Sequence, residues 1–380
     1  MVKPEFRPFD FTIDGADRYS ISVSGRKLID FSGSGMTTGY NFIKKEWLSP
    51  VVSRLVFDNA YTEQLTAKLI ELGGFESVAF STSGTEACDA SLSRYGSPYF
   101  SLEGAYHGLT YITRLVSNGI GFDKNNNIVH LKTPNSRITL EEAISWNDRM
   151  LKDISDRKRR DNGSIIIELI QSDGGVNVIP KVFIDYVEEL REKYCLKLIV
   201  DEVYTGYGRS GEMLLFKKYG LKPDMVCLGK GMAAGLPLGA VLYNDTWDLP
   251  YNSVISMQAA NMFVARVAVE VLKSIDEEKL YFVRKSGQEI INRLSLLDNH
   301  RISSIRGLGF MIGVEFREES GAPDTAYAYS VRGKLASAGL VCSLTGEFNN
   351  VLKITPPVLI DKDTLSSGIN ILEDVLSMSK

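Results

Sequence analysis

Between Glu63 and Leu228, short apolar runs alternate with amphipathic stretches of helical period. The runs are Ser77–Ser81 (SVAFS), Pro98–Leu102, Asn127–Leu131, Ser164–Ile170 (SIIIELI), Leu196–Val200 (LKLIV) and Met225–Leu228. The helical stretches are Glu63–Leu72, one opening at Ser81–Ala87 and running to about Tyr95, Ile138–Lys152 and Lys181–Tyr194. A run that is apolar at nearly every position has both faces covered, and strands spaced by helix-length segments join in parallel through crossovers. One large α/β domain is therefore expected in the middle of the chain.

The pattern changes after about residue 260. Phe263–Ile275 and Glu278–Leu297 read as amphipathic helices, Gly309–Phe316 as a strand, Thr325–Ala338 as a helix, Val351–Ile354 as a strand and Asp363–Ser377 as a closing helix. This spacing predicts a smaller α+β domain. Tyr19–Ser32 reads as a hairpin around a Ser-Gly-Arg turn and is expected to pack with it. The expected limits are 1–45 for the N-terminal segment, 46–258 for the large domain and 259–380 for the small one. A basic cluster at Lys158–Arg160 reads as a solvated helix end.

With a formal net charge of −4 over 380 residues, the chain lacks the electrostatic footprint of a nucleic-acid binder. A local basic pocket for a small anion is still compatible with that balance. The N-terminus MVKPEFRPFDFTIDGADRY has no apolar core of a signal peptide, and no apolar run approaches membrane-spanning length. Cys88, Cys195, Cys227 and Cys342 form no CxxC pair, which argues against a zinc site or disulfide framework. A cytoplasmic protein without a metal is the expectation.

Four segments carry chemistry. Ser81–Ala87 (STSGTEA) joins a predicted strand to a predicted helix. Its small residues let the backbone approach an anion, the first-turn amides attract negative charge, and Ser83 and Thr85 add hydroxyls. Alone, it is equally a strand–helix turn with an N-cap serine. Gly104–Gly108 (GAYHG) sets Tyr106 beside His107 in a loop where an aromatic can stack on a flat ring; alone, it is an ordinary surface loop. Leu198–Glu202 (LIVDE) puts Asp201 at the mouth of a parallel sheet, where ligands of α/β folds bind. A carboxylate buried there needs a cation or good donors. A protonated pyridine nitrogen, a metal or a strand-capping contact would each serve. Cys227–Leu238 (CLGKGMAAGLPL) holds Lys230 between glycines; a lysine in a desolvated pocket is nucleophilic toward carbonyls, whereas one on a loop is usually just solvated. Taken together and in this order, the four segments offer contacts to the phosphate, face, nitrogen and aldehyde of one cofactor, pyridoxal phosphate.

At these residues the chain resembles the class-III (ornithine/4-aminobutyrate) aminotransferase family of fold type I. The matching stretches are FSTSGTEACDASLSRYG, EGAYHG, IIIELIQSDGG, LIVDEVYTGYGRSGEMLLFKKYGLKPDMVCLGKGMAAGLPLGA, IRGLGFMIGVEF and LKITPPVLI, in family order over nearly the whole chain. The resemblance implies a mostly parallel, seven-stranded sheet in the large domain and a homodimer with active sites built from both chains. It implies a Schiff base between Lys230 and pyridoxal phosphate, with Lys230 later moving a proton. Asp201 would pair with the ring nitrogen, and Val203 and Tyr106 would cover the two ring faces beside His107. Gly84 and Thr85 would bind the phosphate, with Ser83 nearby. Glu168 and Asp173 would stand near the substrate and its gating contacts.

The departures bear on the substrate. Leu109 and Lys353 stand where family members carry carboxylate-binding arginines, and lysine lacks the bidentate fork. Tyr204 replaces the glutamine after Asp-Glu-Val, and Cys88 replaces an asparagine. In Ile255–Met262 (ISMQAANM), Ser256 stands in for a threonine that would reach the partner's phosphate. Transamination from an ornithine, acetylornithine or 4-aminobutyrate-like donor to a 2-oxo acid is the expected activity. A pyridoxal-phosphate aminomutase or epimerase, of the glutamate-semialdehyde type, is the alternative. A descendant keeping only the fold is disfavoured because both Asp201 and Lys230 are retained.

Overall fold

The computed structural model describes residues 12–34, 36–48, 59–117, 119–123, 127–155, 163–244 and 255–378. The first eleven residues and the Lys158–Arg160 cluster lie outside them. The described chain opens on β1 (Gly15–Asp17), β2 (Ser20–Val23) and β3 (Arg26–Asp30). β2 and β3 form the expected hairpin. Its turn holds Ser24 and Gly25 at φ 49° and 74°, positive values that match the twist of the flanking strands.

The large domain then follows the predicted alternation. Its elements are α1 (Ala60–Gly73), β4 (Ser77–Ser81), α2 (Gly84–Tyr95), β5 (Tyr99–Leu102), α3 (Tyr111–Leu115), β6 (Gly121–Asp123) and β7 (Ile128–Leu131). Next come α4 (Leu140–Ser155), β8 (Ser164–Ile167), β9 (Ile170–Gln171), β10 (Asn177–Val178), α5 (Lys181–Lys193), β11 (Lys197–Asp201), α6 (Leu215–Lys218), β12 (Met225–Leu228) and β13 (Gly239–Tyr243). Among the described residues the central sheet has eight strands in the order β4-β13-β12-β11-β8-β5-β7-β6. Both of its faces are covered. Ile165, Ile167, Leu198, Val200, Val226 and Leu228 pack into one core, while Ile166, Ile199, Met225 and Cys227 pack into another. This two-sided burial is why these strands read as continuous apolar runs.

The sheet differs from a seven-stranded parallel one in two places. β13 runs antiparallel to both β12 and β4, because the connection 229–238 is too short for the dozen or more residues of a parallel crossover. β6 adds an eighth strand antiparallel to β7. The predicted strand Ser164–Ile170 is also interrupted. It leaves the sheet after Ile167, where the Glu168 carboxylate accepts the Tyr106 amide at 2.9 Å, and resumes as β9 paired with β10.

The C-terminal part comprises α7 (Met262–Lys273), α8 (Glu277–Ser295), β14 (Ile302–Leu308), β15 (Met311–Phe316), α9 (Thr325–Ala338), β16 (Leu340–Val341), β17 (Ser343–Thr345), β18 (Val351–Ile354) and α10 (Lys362–Met378). A sheet ordered β14-β15-β18-β17 packs with α8, α9 and α10 around Phe310, Val314, Phe316, Leu335 and Leu372. β14 escapes the apolar pattern because its residues are only half-buried. β16 pairs in parallel with β3, which joins the N-terminal hairpin to this smaller core. Helix α7, by contrast, contributes Val264, Val267 and Val271 to the large core. That core thus extends past the limit of 258 expected from sequence. Arg209, 3% exposed, ties the parts together by donating to the carbonyls of Met36 at 2.7 Å, Phe310 at 3.3 Å and Pro356.

Candidate active site

The predicted site residues converge on the carboxyl ends of neighbouring strands, where an open α/β sheet leaves room for a ligand. Ser83 follows β4, Tyr106 and His107 follow β5, Glu168 follows β8, Asp201 ends β11 and Lys230 follows β12. Ser83 caps α2, its hydroxyl oxygen accepting the Glu86 amide at 3.2 Å. Gly84 and Thr85 then open the helix with their amides free of intrahelical partners. A Cβ on Gly84 would stand 2.5 and 2.6 Å from the two Val203 methyls, and one on Gly229 would stand 3.0 Å from the Gly84 Cα. Bare backbone at both positions leaves a narrow slot beside Val203.

Asp201 is 5% exposed. Its Oδ1 accepts the Val203 amide at 3.0 Å, and its Oδ2 meets His107 Nδ1 at 2.8 Å and the Cys88 thiol at 3.4 Å. The sequence marks Cys88 only as a small residue replacing an asparagine. Cys88, His107 and Asp201 are also the group among the described residues whose donor atoms lie close enough for a metal. The Cys227 thiol beside Cys88, burial and the Asp201 charge all push the Cys88 thiol well up, so it serves as a neutral donor. Hydrogen-bond distances hold this cluster and fix the carboxylate at the strand end. A flat, protonated heteroaromatic ring carrying a phosphate fits these residues.

Lys230 occupies a left-handed turn at φ 42°, a costly conformation for a residue with a Cβ. Gly231 beside it packs directly on Thr37 Oγ1. The Lys230 side chain is exposed. Its Nζ lies 4.1 Å from the centre of the Tyr204 ring, and Lys353 Nζ lies 5.3 Å from the same point. Tyr204 is the functional-site residue that sequence reasoning misses, since it stands out there only for replacing glutamine. Its position directly after Val203 is the signal that could have found it. Burial would raise its phenol, but Lys353, Arg209 and Lys230 outweigh burial and hold it below its ordinary value.

Lys353 is 8% exposed. It approaches Asp173 at 3.6 Å and Ser172 Oγ at 3.3 Å. Glu168 is buried, and that burial together with the Asp201 charge drives its carboxyl well above the usual range. Glu202, beside Asp201, points away from the cleft. It accepts from Thr205 and from the Phe216 amide at 2.6 Å, and burial lifts it to about 7. Two predicted residues stand apart from the slot. Leu109 is 72% exposed on the rim. Ser256 donates its hydroxyl to Glu86 of its own chain.

A slot with an anion-binding helix end, a buried carboxylate and a lysine defines the pyridoxal-phosphate class of enzyme. The family profile described as aminotransferase class-III matches residues 19–376. The chain belongs to that family and is a pyridoxal-phosphate-dependent aminotransferase. It is 30% identical to an acetylornithine aminotransferase of Haemophilus ducreyi, over 99% of this chain and 96% of that one. It is 28% identical to an alanine/serine racemase of Pyrococcus horikoshii, over 92% and 82% respectively. Its fold matches the PMP-bound form of an aminotransferase from Vibrio fluvialis with a TM-score of 0.82, at 20% identity and over 97% and 92% of the two chains.

Proposed function

We propose that Lys230 carries the cofactor, and that the enzyme moves an amino group from a small amino donor of the ornithine, acetylornithine or 4-aminobutyrate type to a 2-oxo acid. One observation carries this reading. A glycine-cradled helix end, the Asp201–His107 pair and a glycine-flanked lysine stand at the carboxyl ends of strands of one sheet.

When bound, pyridoxal phosphate supplies an aldehyde that condenses with amines and a ring that accepts electron density from the substrate carbon. The amides of Gly84 and Thr85 hold the phosphate, with the Ser83 hydroxyl beside them. Asp201 keeps a proton on the ring nitrogen, and His107 fixes its orientation. Val203 and Tyr106 take the two ring faces. Lys230 would hold the cofactor through its aldehyde carbon and, with its amine free, would carry a proton to and from the substrate carbon. Glu168, whose carboxyl burial pushes well above the usual range, fixes the Tyr106 loop through the Tyr106 amide. Lys353, which now faces the part-exposed Asp173 at 3.6 Å, would anchor the donor's carboxylate.

A homodimer with shared sites belongs to the same reading. The large apolar side chains of Leu109, Tyr111 and Met257 are exposed on the segments flanking the site, and Ser256 lies beside Met257. No described helix is long and apolar enough to cross a membrane, and we place the enzyme in the cytoplasm. The racemase relative favours one second reading, isomerisation of the amino substrate. Turnover without any added 2-oxo acid would select it.

The deciding experiment is borohydride reduction of the holoprotein followed by peptide mapping. The wild type is expected to lose its visible band and carry the label on Lys230. Lys230→Ala is expected to lack band, label and transamination. A Lys230→Ala enzyme with unchanged activity would sink the assignment.

A further inference from the structure

Two departures from the family pattern meet in space. Lys353 replaces an arginine and so loses a planar, pre-organised fork. Tyr204 replaces a glutamine, and Lys353 Nζ lies 5.3 Å from the centre of its ring. An ammonium near an aromatic face is drawn by the ring quadrupole. The ring is itself held fast. Its phenol takes a hydrogen bond with Thr355, two residues along the chain from Lys353. Gly33 leaves just enough room, since a Cβ there would collide with the phenol oxygen and stand 2.7 Å from Thr355 Oγ1. Arg209, 5.9 Å from the ring centre, spends its donors on backbone carbonyls. The remaining neighbours of Lys353 Nζ are Ser172 Oγ and the half-exposed Asp173. Lys230 Nζ shares the same ring at 4.1 Å, which sets both ammonium groups against one aromatic surface.

We propose that Tyr204 is a specificity-determining positioning residue: its ring fixes the flexible Lys353 beside Lys230 and makes it a directed anchor for donors whose amine carries a nearby carboxylate. This rests on the reading that Lys230 carries the cofactor. The test uses two small probes that attack that linkage without needing substrate specificity, aminooxyacetate, which bears a carboxylate, and methoxyamine, which does not. In each case the probe nitrogen replaces the Lys230 nitrogen on the aldehyde carbon, and two probe protons pass to the lysine. The ratio of the two rates, normalised to the same ratio with free pyridoxal phosphate, isolates the anion anchor.

In the holoenzyme the normalised ratio is expected to exceed about tenfold, as for a charge-assisted contact. Lys353→Met should bring it to about one. Tyr204→Phe, which keeps the ring, should hold it within about threefold. Tyr204→Leu should lower it about tenfold, and Tyr204→Gln, which carries the family's own residue, should do the same if the leucine variant does not fold. A ratio near one in the wild type would overturn the proposal. So would a ratio preserved in both Tyr204→Leu and Tyr204→Gln, or one lost as fully in Tyr204→Phe. A wild type with no visible band to displace would instead remove the Lys230 reading on which the proposal stands.

Discussion

Gly84→Ala tests the slot with a single methyl. The added carbon would fall 2.5 and 2.6 Å from the Val203 methyls and 3.1 Å from its Cβ, against about 3.5–4.0 Å for a comfortable carbon contact. Val203 must therefore move by about 1 Å, and little allows it to. Its side chain is β-branched and stiff, and its amide is bonded to Asp201 Oδ1 at 3.0 Å. Overpacking of this kind costs about 1–3 kcal/mol. Val203 is the residue proposed to cover one face of the cofactor ring, so displacing its methyls should also cost binding. Pyridoxal phosphate is expected to bind roughly 5–150-fold more weakly, measured by titrating apoprotein at the visible band. The apoprotein's Tm should fall as well, because the clash with Val203 is present without the cofactor, offset in part by alanine's advantage over glycine in a helix. Val203→Ala in the same chain should return most of the loss, measured against Val203→Ala alone. Unchanged affinity in Gly84→Ala, or an equal loss in the Val203→Ala background, would refute the steric argument.

Two buried groups outside the slot give opposite pH signatures. Glu202 is raised from 4.5 to about 7 by burial, so the folded state holds a proton that the unfolded state has released. Its stabilising effect is complete below pH 4.5 and is lost as pH rises to 7, an amount of roughly 3 kcal/mol. Glu202→Gln should accordingly flatten that decline in urea unfolding at pH 5 and pH 8. A variant with the wild-type difference would dismiss the assignment. His130 is held down from 6.5 to about 4, by burial first and by His107 also, against Asp123. Here the unfolded state binds the extra proton, and stability falls as pH drops from 6.5 to 4, again by roughly 3 kcal/mol. His130→Gln should move acid unfolding to lower pH, and an unmoved midpoint would contradict it.

The parts legible in the sequence are those where one local rule decides. Strands buried on both faces announce themselves as apolar runs, and the four site segments follow those runs, so the order of residues along the chain points to Ser83, Tyr106, Asp201 and Lys230, while Glu168 comes only from the family resemblance. What stays hidden depends on partners distant in the chain. The reversal of β13 follows from a connection shorter than a crossover needs, a length that no apolar run reports. β6, β9 and β10 are too short for a period to register, and the half-buried β14 has none to show. Cys88 gains its meaning only from Asp201, 113 residues away, and Tyr204 from Lys353, which enters from the smaller domain. Lys230 shows the same limit in reverse. Its flanking glycines mark its position, yet the Tyr204 ring that its Nζ meets at 4.1 Å is not given by its neighbours in sequence. Chemistry carried on strand ends is thus readable one segment at a time. The meeting of Tyr204 and Lys353, proposed to direct the donor, is readable only once the smaller domain is in place.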